Sequence, residues 1–163
     1  TLMEEKINHL DTPTIIKSYD YNNENRKTYI RNGKLDQKSG STVRNYVEEY
    51  FQYDEQQKLI SHNFYNSKND FEFNRPNKTI KFYYENGKIS KSIVNIGNLS
   101  YHYFYNEIGQ VIKRLDYVMK YKEELCAKKL YTYNKIGLAL AWTYENFERK
   151  YETFTNFTYT YHD

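Results

Sequence analysis

Polar and apolar residues alternate along most of this chain with a period of two, which is the signature of half-buried β-strands. Tyr101, Tyr103 and Tyr105 fall on one face of such a strand, and Tyr131 and Tyr133 on one face of another. Near the end, Phe157, Tyr159 and Tyr161 alternate with Thr158, Thr160 and His162. Thr and Tyr both favour strands. Only three alanines occur (Ala127, Ala139, Ala141) and Leu is sparse, so long helices have little support. The pattern predicts an all-β fold, a twisted antiparallel meander of about ten strands joined by hairpins.

Some segments read less cleanly. Residues 2–10 suit either a short helix or a loose arm, and residues 1–14 are expected to stand outside the repeats as a flexible N-terminal arm. Val43, Tyr46, Val47 and Tyr50 fit a helical stripe, yet they lead into Phe51 and Tyr53, and strand is the favoured reading. The stretches 36–42 and 66–77 are polar and read as exposed loops, neither long enough to divide the chain. A single domain over residues 1–163 is therefore expected.

The strands are punctuated by a recurring turn. An aromatic strand enters a polar turn and a strand led by Leu, Ile or Val leaves it. The pattern runs through Tyr29-Ile30-Arg31-Asn32-Gly33-Lys34-Leu35, Tyr53–Leu59, Tyr84–Ile89, Tyr105–Val111 and Tyr133–Ala139, and reopens at Tyr159-Thr160-Tyr161-His162-Asp163. The opening tyrosines Tyr53, Tyr84, Tyr105, Tyr133 and Tyr161 lie 31, 21, 28 and 28 residues apart, as hairpins with variable return loops would. Asn32-Gly33 and Asn86-Gly87 suit two-residue type I′ turns, because both residues tolerate positive φ. Asn106–Gly109 and Asn134–Gly137 suit a type I turn followed by a left-handed Gly, which makes a G1 bulge. Gln57 stands where the others have Gly, so a different or strained turn is expected there.

At these turns the sequence resembles the YD-repeat, or Rhs-type, family. The resemblance spans about residues 45–163 and rests on Phe51-Gln52-Tyr53-Asp54, Tyr103-Phe104-Tyr105-Asn106 with Gly109, Tyr131-Thr132-Tyr133-Asn134 with Gly137, and Phe157–Asp163. It departs from the family pattern where Asp becomes Asn or Glu and where Gly is missing. The resemblance implies a stacked β-hairpin sheet without catalytic residues. In large members such sheets wrap into shells around toxin segments, which 163 residues are too few to do. Small β-rich bacterial proteins also serve as envelope components or as toxin immunity partners.

Composition sharpens the picture. Twenty Tyr and nine Phe bring aromatics to 18%, while hydrophobic residues are only 39%. Each aromatic buries roughly 150–250 Å², so a core can form without much Leu or Val. All the enriched types have AT-rich codons, so the placement of the tyrosines carries more weight than their number. A net charge of +3 gives no clustered basic face for duplex DNA. Lys and Arg interleaved with aromatics would suit single-stranded nucleic acid, but Asp and Glu are interleaved as densely, and nucleic acid is not expected. No run of 18 apolar residues occurs, so no transmembrane helix is expected. The chain opens on Thr1, which would suit a trimmed leader or lipid anchor. The compartment is thus open between bacterial periplasm, envelope or secretion and the cytoplasm.

No catalytic motif stands out. Cys126 is the sole cysteine, so no intrachain disulfide is available. His9, His62, His102 and His162 lack metal-ligand spacing, although His62 and His102 could meet across hairpins; no metal or cofactor is expected. Glu48-Glu49 and Glu123-Glu124 read as solvated pairs. The six glycines are scattered and form no phosphate loop.

What remains is aromatic surface. Phe82 and Tyr84 alternate with Tyr83, and Phe104 points away from Tyr103, so strands are aromatic on both faces. One face is expected to form the core. The other needs a covering layer or is an exposed binding surface. The candidate binding residues are Tyr83, Tyr101, Tyr103, Phe104, Tyr105, Tyr131, Tyr133 and Trp142. The expected function is non-enzymatic binding of another protein, most specifically as an immunity-type or assembly partner of a cognate toxin. Glycan or envelope binding is the alternative, and a glycoside hydrolase the third. The final repeat would supply an edge strand open to dimerisation.

Overall fold

The computed structural model describes residues 3–7, 15–34, 47–66 and 76–159. The protein is all-β, with antiparallel strands in meander order; among the described residues there are twelve strands and no helix. No helix there is long and apolar enough to cross a membrane. The chain divides into two compact units, Thr1–Ile80 and Lys81–Asp163.

In the first unit, β1 (Met3–Ile7), β2 (Ile15–Tyr21), β3 (Lys27–Lys34), β4 (Val47–Tyr53) and β5 (Leu59–Asn66) pair in chain order. β6 (Lys78–Glu85) carries the chain from one unit to the other. The second unit continues with β7 (Lys88–Ile96), β8 (Leu99–Tyr105), β9 (Val111–Met119), β10 (Glu123–Tyr133), β11 (Ala139–Asn146) and β12 (Tyr151–Asn156), again in chain order.

Four hairpins close through one turn. In each, an Asx residue follows a tyrosine: Asn22, Asp54, Asn106 and Asn134. Asn106 N–H donates to the Gln110 carbonyl (2.9 Å), and Gly109 N–H donates back to the Asn106 carbonyl (3.0 Å). Asn106 Oδ1 accepts from Ile108 N–H (3.2 Å) and Gln110 N–H (2.9 Å). Asn134 does the same for Ile136 (3.0 Å) and Leu138 (2.9 Å), and Asn22 for Glu24 (3.1 Å) and Arg26 (2.9 Å). The Asx side chain thereby supplies an acceptor for N–H groups that the ladder leaves open. The fourth turn residue is left-handed each time: Asn25 (φ 58°), Gln57 (φ 62°), Gly109 (φ 84°) and Gly137 (φ 88°). A bulge follows at the tyrosine, with register shifts at Asp20/Tyr21, Gln52/Tyr53, Phe104/Tyr105 and Thr132/Tyr133. Gln57 therefore keeps the common geometry and bears a strain of about 1–2 kcal/mol that Gly avoids. Asn86 (φ 50°) and Gly87 (φ 78°) form the expected two-residue turn.

Tyrosine hydroxyls tie one hairpin to the one before. Tyr53 Oη donates to the Lys27 carbonyl (2.9 Å), Tyr133 Oη to Val111 (2.7 Å) and Tyr159 Oη to Ala139 (2.7 Å). Each acceptor is the first residue after the turn, opposite Tyr21, Tyr105 or Tyr133. Tyr105, whose predecessor hairpin has the two-residue turn, meets Ser92 Oγ instead (2.9 Å).

Two sequence expectations are corrected. Asn32-Gly33 is not a turn but lies inside β3, opposite Lys17 and Ile16. The hairpin closes earlier, at Asn22–Arg26, where the Asn22 side chain satisfies two N–H groups and Asn25 replaces Gly. The short helix or loose arm expected over 2–10 is, at Met3–Ile7, a strand paired with β2. Tyr161, expected to open the last unit, lies outside the described residues, as do 36–42, 67–75 and Val43 and Tyr46. The strand favoured after Tyr46 is present as β4.

The aromatic core is also corrected. Among the described residues, strand contacts within each unit join only chain neighbours. Among the described residues, only Ala127 (1% exposed) and Ala141 (9%) are buried apolar residues, and no large side chain is fully buried. The other buried residues are polar: Ser61, Ser92, Ser100, His102 and Asp116. The rings of Tyr101, Tyr103, Tyr105, Tyr131, Tyr133 and Trp142 are half-buried, while those of Tyr83, Tyr121 and Phe154 are exposed. Cohesion comes from cross-strand rows.

Candidate binding surface

Residues directly opposite in adjacent strands share a face. In the second unit, Tyr103, Arg114, Lys129 and Tyr144 form one row across β8, β9, β10 and β11. The next row holds Tyr101, Asp116, Ala127 and Asn146. Tyr131, two residues beyond Lys129, stands opposite Trp142 on the same face.

These rows build a cationic aromatic cluster. Arg114 donates from Nε and Nη2 to the two oxygens of Asp116, at 2.7 and 2.6 Å. Its guanidinium lies 5.5 Å from the Tyr101 ring centre. Lys129 Nζ lies 3.8 Å from the Trp142 ring centre and 5.2 Å from that of Tyr131. Burial, with the nearby Arg114 charge, lowers the Lys129 pKa, and burial raises that of Tyr131. Lys129 has no carboxylate within ion-pair distance among the described residues. The cluster thus sets two cations against one carboxylate. Among the described residues, the hydroxyls of Tyr101, Tyr103 and Tyr131 have no protein hydrogen-bond partner.

The eight residues named from sequence divide between two faces. Tyr101, Tyr103, Tyr105, Tyr131, Tyr133 and Trp142 share the cluster's face. Tyr105 and Tyr133 spend their hydroxyls on ties to Ser92 and Val111. Phe104 occupies the opposite face, with Lys91 Nζ 5.4 Å and Lys113 Nζ 4.1 Å from its ring centre. Tyr83 joins it there, 5.7 Å from the same Lys91. Arg114, Lys129, Asp116 and Tyr144 were not singled out in the sequence. Lys129 was accessible to it, since Lys129-x-Tyr131-x-Tyr133 places all three on one side.

Each of the two described histidines belongs to its own unit and has its own carboxylate partner. His62 on β5 bonds Glu49 (2.8 Å) and stacks on Phe51, with ring centres 4.1 Å apart. His102 on β8 lies 3.2 Å from Glu123 and 3.1 Å from Ser100 Oγ. Burial lowers both imidazole pKa values, against the opposing pull of the glutamates. The folded protein therefore binds these protons less readily than the unfolded chain, whose histidines titrate near 6.5. Their contribution to stability is complete above that pH and is lost as the pH falls below it. Urea midpoints are expected to drop on mild acidification, and His62→Gln to flatten part of that drop. An unchanged midpoint would refute the assignment.

Among the described residues, no three His, Cys, Asp or Glu side chains gather as metal ligands. Cys126, at the β9–β10 bulge, donates its thiol to the Asp116 carbonyl (3.1 Å), and burial raises its pKa. Compared with known proteins, the chain matches no family model and no curated protein.

Proposed function

We propose that this chain is a non-enzymatic binding protein, and that the Arg114–Lys129–Trp142 face of its second unit recognises another protein. The observation that carries the reading is an aromatic face holding a cation, Lys129, that caps Trp142 and has no carboxylate within ion-pair distance among the described residues. Tyr, Trp and Arg are the residues most enriched at interface hot spots. An acidic partner surface would supply the missing charge and accept the open tyrosine hydroxyls. The finer version is an immunity-type or assembly partner of a toxin. The recurring Tyr-Asx turn supports kinship with the YD-repeat family, in which that version has its basis.

Glycan binding is the weaker reading. A sugar needs an open ring face, and the Trp142 ring is already capped by Lys129 at 3.8 Å. The test is photo-crosslinking in native lysate. A benzophenone side chain replaces Tyr131 in one variant and Leu130, on the opposite face of the same strand, in another. A single stoichiometric adduct from position 131 alone is expected. Identical adducts from both positions, or none, would sink the proposal.

A further inference from the structure

Two hairpin turns at one end of the second unit carry side chains that the fold does not require. The β9–β10 turn is Lys120-Tyr121-Lys122, and the β11–β12 turn is Phe147-Glu148-Arg149-Lys150. Both lie inside the continuous described stretch 76–159. Lys120 N–H closes the first turn on the Lys122 carbonyl (3.2 Å), and Phe147 N–H seats the second beside β10 at the Cys126 carbonyl (2.9 Å). At a rise of about 3.3 Å per strand residue, the second turn stands roughly 10 Å behind Tyr121. Turns ordinarily take Gly, Asn, Asp or Ser. Here the Tyr121 ring is fully exposed, Met119 beside it is 47% exposed and Phe147 38%.

The charges around these side chains do not cancel. Lys120 pairs with Glu124 (3.3 Å) and Glu123 with His102 (3.2 Å). Among the described residues, Lys122, Arg149 and Lys150 have no carboxylate within ion-pair distance, and Glu148 has no cation. The Tyr-Asx turns at the other end also expose apolar side chains, Ile108 and Ile136, but their charges, Glu107 and Lys135, balance.

We propose that the Tyr121 end docks on an anionic lipid bilayer, with Met119, Tyr121 and Phe147 entering the interface and Lys122, Arg149 and Lys150 meeting lipid phosphates. Tyr suits the bilayer surface because its ring is apolar and its hydroxyl stays wet. Lys and Arg lay their stems along the apolar zone and keep their charges at the headgroups. Protein interfaces, by contrast, are depleted in Lys. Apolar insertion and attraction to anionic lipid add, so each supplies part of the binding. None of these residues belongs to the Arg114–Lys129–Trp142 cluster.

The test is co-sedimentation of the full chain with vesicles of phosphatidylglycerol and phosphatidylcholine in equal parts, and with phosphatidylcholine alone. Binding to the anionic vesicles is expected, weakening as salt rises. Soluble glycerol phosphate should not displace it, which separates a lipid surface from a site for free phosphate. Tyr121→Asp and the double variant Lys122→Glu/Arg149→Glu should each weaken binding by about tenfold or more. These side chains are exposed, so melting curves should match the unsubstituted chain. Ile136→Asp, at the other end, should bind as before. In the unsubstituted chain, anionic vesicles should slow tryptic cleavage after Lys122. No binding to anionic vesicles overturns the proposal, as does equal binding to both vesicle types or competition by glycerol phosphate. A loss with Ile136→Asp as large as with Tyr121→Asp overturns it too.

Discussion

Asp116→Ala is expected to lower the unfolding free energy of the second unit by about 2–3 kcal/mol, read from urea denaturation. Asp116 is 7% exposed and holds Arg114 through two short charge-assisted hydrogen bonds. Truncation leaves a guanidinium beside Lys129 with no counter-charge. Breaking a fully buried pair from one side costs roughly 3–5 kcal/mol. The Arg114 side chain is 26% exposed, so water recovers part of that cost and the lower figure applies. The double variant Arg114→Met/Asp116→Leu should restore most of the loss, because it leaves no orphaned charge. A single-variant loss below about 0.5 kcal/mol would rank the pair with ordinary surface ion pairs.

The same cluster marks the limit of what the sequence could say. Strands were legible because alternation of period two survives within each element. Glycine turns at Gly109 and Gly137 were legible because glycine is the usual left-handed residue. Asn25 takes that conformation in the first hairpin, where the motif carries no glycine, so a nearby Asn-Gly pair at 32–33 drew the turn to the wrong place. Cross-strand partners were harder still. Each Tyr-Asx turn inserts a bulge, and a one-residue shift exchanges the two faces. Counting from Tyr103 through the turn does not reveal that Arg114 stands opposite it. Tyr101 and Tyr103, or Tyr131 and Tyr133, could be placed together by counting, whereas their joining to Arg114, Lys129 and Trp142 needed the register. The depth at which the rings are buried was illegible for another reason. A Leu-poor, Tyr-rich strand reads the same under a second layer as it does open to water, since Tyr tolerates both.

Trp142→Ala is expected to weaken partner binding by about 30-fold to several hundred-fold, the range of a hot-spot aromatic. Trp142 carries Lys129 on its ring and stands opposite Tyr131, so its removal strips the platform from both. Lys129→Met should cost about tenfold, keeping most of the aliphatic contact but losing the charge. Because the two side chains touch, their effects should not add; a coupling of about 0.5–2 kcal/mol is expected in a double-mutant cycle. Trp142→Phe separates packing from recognition, since it preserves a ring and most of the sheet's cohesion. Isothermal titration against the crosslinked partner, with melting curves for each variant, provides the measurement. Phe104→Ala on the opposite face should leave the affinity unchanged. If Phe104→Ala weakens binding as much as Trp142→Ala does, the partner recognises the other face, and Lys91 and Lys113 take the place assigned here to Lys129.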